Sequence, residues 1–378
     1  MNKRKIIFYF LLAIAAGCAY AALLLTQNLS WHYLLLLIPA AISAALGYAQ
    51  YRLLQKEKLL VKLRAAWGTP EQKKDRDLDY AGLVFRSMQP CIGAIDDRTW
   101  QDLNMDLVFA KLDRTHTWPG MQRLYQMLRS PLIREPARLK QRSEMIRSFE
   151  EDQVQREAVQ LILGKMDGHL GAGLPTLLWE TPHVPRMHPQ IIYTIMSLAA
   201  LLSPLLLFSG VRWGLAIIFI FQINMYLHFK VQKNIKAYFE GVRVLGQLVV
   251  VARELSALQY EALADPLRKI RTSYNEVKRF LKVTRHVGVE STDPLMGMAL
   301  QYHSIFLLAE IRGFYRALDF IGQNRDALQT LFLAVGELDA LQSVASYRTS
   351  LNYYCEPVFV EDKLLTVQNA YHPLLCYS

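Results

Sequence analysis

Cysteine is scarce in this sequence, and the few cysteines do not cluster. Cys18, Cys91, Cys355 and Cys376 are scattered with no CxxC pair, which excludes a disulfide framework and a cysteine zinc site and suits a reducing compartment. Charge is scarce too: charged residues make up 20% of the chain against 52% hydrophobic. That balance excludes a disordered chain and directs attention to membrane spans. No Ser/His/Asp or Cys/His set can be assembled, which leaves nucleophilic catalysis without a candidate. His183 and His188 lack a third ligand, so zinc chemistry has none either. The phosphate-binding pattern GxxxxGK[ST] is missing. Gly241 and Gly246 have the glycine spacing, but Gln247 and Leu248 stand where Lys and Ser/Thr are needed. Internal repeats and low-complexity tracts are absent as well.

What is present is long uncharged runs and a positive surplus. Ile6 to Leu25 carries no charge and follows Lys3, Arg4 and Lys5. That is about the length of ~20 residues that a helix needs to cross a bilayer. A second run, Trp31 to Tyr48, is followed by Arg52, Lys56, Lys58, Lys62 and Arg64. Basic flanks on the same side place both ends of this helical hairpin in the cytoplasm. Ala16-Gly17-Cys18 and Ala19-Tyr20-Ala21 look like export cleavage sites, but the apolar run continues past both and a second run follows. Ile191 to Phe208 and Trp213 to Phe229 read as a second membrane hairpin, preceded by Arg186 and followed by Lys230, Lys233 and Lys236. The alternative for this pair is a buried core hairpin. The expected location is the inner (cytoplasmic) membrane, multi-pass, with the soluble parts cytoplasmic. No acid or base in the spans marks a substrate path, which argues against a transporter.

The remaining stretches read as helical. Leu124 and Leu128 share a face within Met121–Leu128, which Pro131 and Pro136 interrupt. Gln301 to Tyr315 and Ala327 to Tyr347 are long periodic runs, and Leu331, Val335, Leu338, Leu341 and Ala345 make a stripe expected in the core. Asp113 to Thr117 reads as a cap and turn before a helix, with Pro119 at an early helical position. Asp96-Asp97 and Glu150-Glu151-Asp152 read as solvated or capping acids. "PVFVEDKLLTVQNA" reads as two short strands around Glu361-Asp362. The net charge of +10 attracts polyanions. Its best-defined candidate is the helical stripe Arg268, Arg271, Lys278, Lys282 and Arg285. Such a stripe suits duplex phosphates, anionic lipid or plain solvation.

Two segments carry a resemblance. The first, "IDDRTWQDLNMDLVFAKLDRTHTWPGMQRLYQMLRSPL", has Asp97 and Thr99, then Leu112, Asp113, Thr115 and Thr117. Gly120 follows, ahead of Arg123 and Leu124, and Pro131-Leu132 closes it. The second is "ELDALQSVASYRTSLNYYCEPVF", followed by "AYHPLL". Together they resemble the MutS family of DNA mismatch repair ATPases: the opening of its core domain, its last lever helix, the crossing strand, and the His-Pro that leads into its ATPase domain.

The implied fold is mainly α. A transmembrane hairpin (1–50) and a cytoplasmic linker (51–94) precede the first part of a MutS-like core (95–189). A second transmembrane hairpin (190–229) comes next, then lever helices and the rest of the core (230–359). The chain closes on short strands at the start of an α/β ATPase domain (360–378) that it is expected to lack. The implied function is a membrane-anchored core and lever module, in complete form an ATP-dependent, DNA-binding relative of mismatch repair. ATP and Mg²⁺ are expected for a complete relative and no cofactor for this chain, which as it stands is not an enzyme. Expected partners are the lipid bilayer and duplex DNA, with a homodimer only where the ATPase domain is present. Val358–Leu365 is expected to present apolar surface and unpaired edges. The mismatch-reading wedge, Phe-x-Glu, is absent; Tyr238-Phe239-Glu240 lies in the wrong place. The alternative is an inner-membrane scaffold without DNA or ATP activity.

Overall fold

The computed structural model describes residues 3–28, 35–69, 78–88, 93–133, 135–166, 173–180, 189–210, 212, 214–285, 287, 294–360, 364–372 and 374. The chain is mainly helical and forms two compact units, Met1–Trp67 and Gly68–Ser378.

The first unit is α1 (Lys3–Asn28) and α2 (Leu37–Ala66). They run antiparallel: Arg4 pairs with Glu57 at 2.5 Å, and the Phe8 ring lies 5.7 Å from that of Tyr51. A Cβ on Gly47 would stand 3.7 Å from Leu11, so the glycine lets the backbones approach. Few side chains of α1 find cover. From Arg4 to Ala22 only Ala22 is buried, while Tyr9, Phe10 and Tyr20 are each 65% exposed.

The second unit opens with short helices: α3 (Leu78–Ala81), α4 (Leu83–Ser87), α5 (Asp97–Asp102) and α6 (Met105–Leu112). Longer ones follow: α7 (Trp118–Arg129), α8 (Pro136–Glu151) and α9 (Gln153–Leu163), with the short α10 (Leu174–Trp179) after them. Next are α11 (Gln190–Leu202) and the 42-residue α12 (Gly214–Leu255). The last are α13 (Ala264–Val277), α14 (Phe280–Val283), α15 (Pro294–Leu307), α16 (Ala309–Gln323) and α17 (Arg325–Thr349). The caps are those the sequence announces. Asp96 accepts from the Thr99 N–H at 2.7 Å, Thr117 from Gly120 at 3.0 Å and Asp152 from Gln155 at 2.9 Å.

The core is built around α17, which packs on α7, α8, α10 and α13. All five residues of its expected stripe are buried, and so are Phe332, Asp339 and Ser343 between them. A helix buried nearly all round is a core helix rather than a surface one. Trp118 and Trp179 set their rings edge-on to Phe332 at 5.7 and 5.3 Å. The second half of α12 buries Val242, Leu245, Leu248, Val249, Ala252 and Leu255 in the same core.

Three expectations need correction. The run expected from Gln301 to Tyr315 is two helices, because Leu308 takes a left-handed conformation at φ +49 and is fully buried there. Such a backbone costs roughly 1–2 kcal/mol, which burial of the leucine offsets. The first limb of the second expected hairpin is not one α-helix either. Pro204 supplies no N–H, so α11 ends at Leu202 and a 3₁₀ turn runs on from Ser203 to Ser209. Two stretches remain long and apolar enough to cross a membrane, Arg4–Ala22 and Gly214–Lys233. Lastly, no strand is formed among the described residues. Residues 352–360 and 364–372 are irregular: no backbone ladder pairs them, as a strand requires. Glu361-Asp362 lies outside the described residues, as do His183 and His188.

Candidate functional site

The two stretches that carry the family resemblance meet in the core. Asp113 follows the last residue of α6 and accepts from the Thr115 N–H at 3.2 Å and its hydroxyl at 2.6 Å. The first N–H groups of α7 have no partner within the helix, and the helix dipole favours an anion there. That anion is Asp339, from the middle of α17. Its carboxylate accepts from the His116 N–H at 3.0 Å, the Thr117 N–H at 2.7 Å and the Thr117 hydroxyl at 2.6 Å. Asp339 is 0% exposed. A Cβ on Gly120 would collide with this carboxylate, and one on Gly336 would stand 2.6 Å from the Pro119 carbonyl.

Further polar contacts extend the clamp on both sides. Arg114 donates from its N–H to Ser343 Oγ at 2.6 Å and from its guanidinium to the Ser346 carbonyl at 2.7 Å and Ser350 Oγ at 2.8 Å. Glu337 receives Arg123 and Arg142, each at 3.1 Å. Burial alone would raise the Glu337 carboxyl, but the two guanidiniums outweigh it and hold it below the ordinary carboxylate range. Asp339 and Glu337 each accept from several donors, so the clamp fixes the geometry between α7, α8 and α17.

The basic stripe expected on one helix is split. α13 ends at Val277 and α14 starts at Phe280, a break that buries Phe280 against Phe320 with rings 5.6 Å apart. Arg268 pairs with Asp265 at 2.7 Å, and Arg271 donates to the Ser256 and Leu258 carbonyls at 3.0 and 3.3 Å. Lys278, Lys282 and Arg285 remain exposed, joined by exposed Arg279, which the stripe did not include. Among the described residues none of these four forms an ion pair. The exposed charge of the expected stripe is thus gathered in this compact turn. Phe280, the aromatic within it, is buried, so the turn offers charge without a stacking platform.

A third feature was missed in sequence. α11, α12, α15 and α16 pack together with apolar residues outward: Ile191, Ile195, Leu198 and Leu202 on α11, and Leu215, Ile218, Phe219 and Tyr226 on α12, all exposed. Their inward faces, mostly apolar, also bury polar side chains, Ser197, Asn224 and His228. Asn224 donates to the Phe306 carbonyl at 2.7 Å, Arg312 to Ser197 Oγ at 2.5 Å, and His228 Nε2 lies 3.9 Å from Glu310 Oε2. This corrects the expectation that the spans hold no acid or base, because His228 lies within Gly214–Lys233. The one visible signal was a histidine and an asparagine four residues apart in an apolar run.

Around residues 352–372 the apolar surface expected near Val358–Leu365 is present, with Val358 and Leu365 each 87% exposed. Tyr353 donates to the Asn369 carbonyl at 2.9 Å and Tyr371 to the Tyr353 carbonyl at 3.0 Å, so the two limbs return on each other. Glu356 ties the base to Arg147 at 2.8 Å and Arg348 at 3.2 Å. Among the described residues no His, Cys, Asp and Glu group could hold a metal ion. No protein family, curated protein or solved structure matches this chain.

Proposed function

We propose that this chain is a membrane-anchored, MutS-like core and lever module, which in complete form is an ATP-dependent, DNA-binding relative of mismatch repair. One observation carries the reading: the two resembling stretches, 222 residues apart, close on each other through Asp339 and Thr117. A chance pair of motifs has no reason to share a buried clamp. The membrane part of the reading is supported by the apolar faces of α1 and α12, which are exposed rather than buried. On this reading the spans form hairpins with cytoplasmic ends, and ATP chemistry belongs to a GxxxxGK[ST] motif of the kind that residues 1–378 do not contain. The polyanion contact falls to Lys278, Arg279, Lys282 and Arg285.

The test is duplex DNA binding by the full chain in nanodiscs of neutral lipid. Four phosphate contacts would give a slope of about −3.6 in log affinity against log salt, and the quadruple reversal to glutamate would abolish it. The second reading is a membrane scaffold that holds a partner at the cytoplasmic face. It is favoured by the exposed apolar side chains Val358, Phe359, Leu364, Leu365 and Val367. No duplex binding at low salt, with binding to anionic vesicles retained, would select it.

A further inference from the structure

The inward faces of α11, α12, α15 and α16 hold polar atoms that the packing does not satisfy. His228 is 4% exposed and Asn224 0%. His228 Nδ1, Asn224 Oδ1 and Ser304 Oγ are all buried without a hydrogen-bond partner. Buried polar atoms are nearly always paired, and an exception calls for a ligand, a water or a working role. Asn224 and His228 are four residues apart on α12, one turn above the other on the same face. Glu310, in the first turn of α16, brings a carboxylate oxygen to 3.9 Å from the other ring nitrogen.

We propose that His228 and Glu310, with Asn224 beside them, form a proton-binding site at the joint between the α12 span and α16. Histidine is the side chain whose charge changes between about pH 5 and 8. At 3.9 Å a neutral ring makes only a weak dipolar contact with the carboxylate, whereas an imidazolium makes an ion pair in a setting of low dielectric. The proton enters on a ring nitrogen and leaves the same way, so no other reactant is needed. Of the other ionisable groups on these four helices, Asp319 accepts from Gln190 at 2.8 Å. Arg312 donates to Ser197, Arg316 and His303 are exposed, Lys230 lies over the Tyr226 ring, and Tyr193 stacks on Tyr315. Because α12 continues without a break into the core at Val242–Leu255, a change in how it seats on α16 would be felt there.

The proposal depends on the packing of these four helices and not on DNA or ATP. It acquires a role in a bilayer only if the membrane reading holds, which membrane extraction tests separately. The experiment is a double-mutant cycle on the full chain in detergent, using His228→Gln, Glu310→Gln and the pair, with the thermal midpoint read at pH 5 and pH 8. The expected result is that Glu310→Gln lowers the midpoint by about 2–4 °C more at pH 5 than at pH 8, and that this difference vanishes in the His228→Gln background. Equal effects at both pH values, or a difference that survives in the His228→Gln background, would overturn it. Should a variant not fold, the imidazole nitrogen resonances of His228 in the unmodified chain decide the matter. Two protonation states between pH 5 and 8 support the site, and a single state rejects it.

Discussion

Asp339 does more for this fold than its place in an apolar helix suggests. It neutralises the start of α7 and saturates two backbone N–H groups and a hydroxyl. Asp339→Ala leaves those donors buried and unpaired, at about 1–3 kcal/mol for each group. The expected outcome is loss of cooperative unfolding by circular dichroism, while Asp339→Asn retains a fold with a lowered midpoint. Gly120→Ala should behave like Asp339→Ala, because the added methyl group takes the carboxylate's place. A midpoint for Gly120→Ala within a degree of the parent would refute the clamp geometry. The acid was not legible in sequence: its partner is a helix start 222 residues away, and nothing local distinguishes it from a solvated aspartate.

Glu337 gives a pH signature at the same scale. Its folded carboxyl lies below its ordinary range, so the unfolded chain takes up its proton at higher pH than the folded one. The stability it contributes is therefore present above the unfolded value near 4.5 and is lost as pH falls through the folded value. Glu337→Gln leaves Arg123 and Arg142 facing each other without their anion, at a cost of about 3 kcal/mol. The expected result in urea unfolding is a clear loss at pH 7 that shrinks below pH 4. A loss that stays constant with pH would mean that packing and not charge supports this triad.

At the scale of elements, what the sequence tells depends on whether the signal is local. The stripe of α17 and the caps of α5, α7 and α9 are local, and all are found where the pattern places them. The break at Leu308 is not marked by Gly or Pro. Both α15 and α16 pack on α11 and α12, and the left-handed Leu308 between them is fully buried, a tertiary setting that the local sequence does not announce. The split of the basic stripe has the same origin, the burial of Phe280. It also sharpens an expectation: the glutamate reversal of Lys278 and Lys282 should weaken duplex binding at least tenfold, whereas reversal of Arg268 should leave it nearly unchanged, since Asp265 already pairs with that side chain. Equal losses in an anisotropy titration would return the binding surface to the undivided helix face.

At the scale of the whole molecule, the distribution of apolar surface is inverted relative to a water-soluble protein in two places. α1 exposes Tyr9, Phe10, Leu12 and Tyr20, and α12 exposes Leu215, Ile218, Phe219 and Tyr226 while turning Asn224 and His228 inward. Contiguous exposed apolar surface of this kind marks contact with membrane or partner. A buried core helix passes the same test of length and hydropathy, but it would hide these residues. The proposed membrane reading, with lipid as the covering phase, has a consequence in each unit. A carboxylate placed at Leu12 or at Phe219 would enter hydrocarbon at a cost of about 2.5–3.5 kcal/mol, and neither change alone removes the other anchor. The full chain is expected to stay in the membrane pellet after an alkaline wash, as should Leu12→Asp and Phe219→Asp taken singly, with the double variant released or aggregated. Release of the unmodified chain would mean that a protein partner, and not lipid, covers both faces.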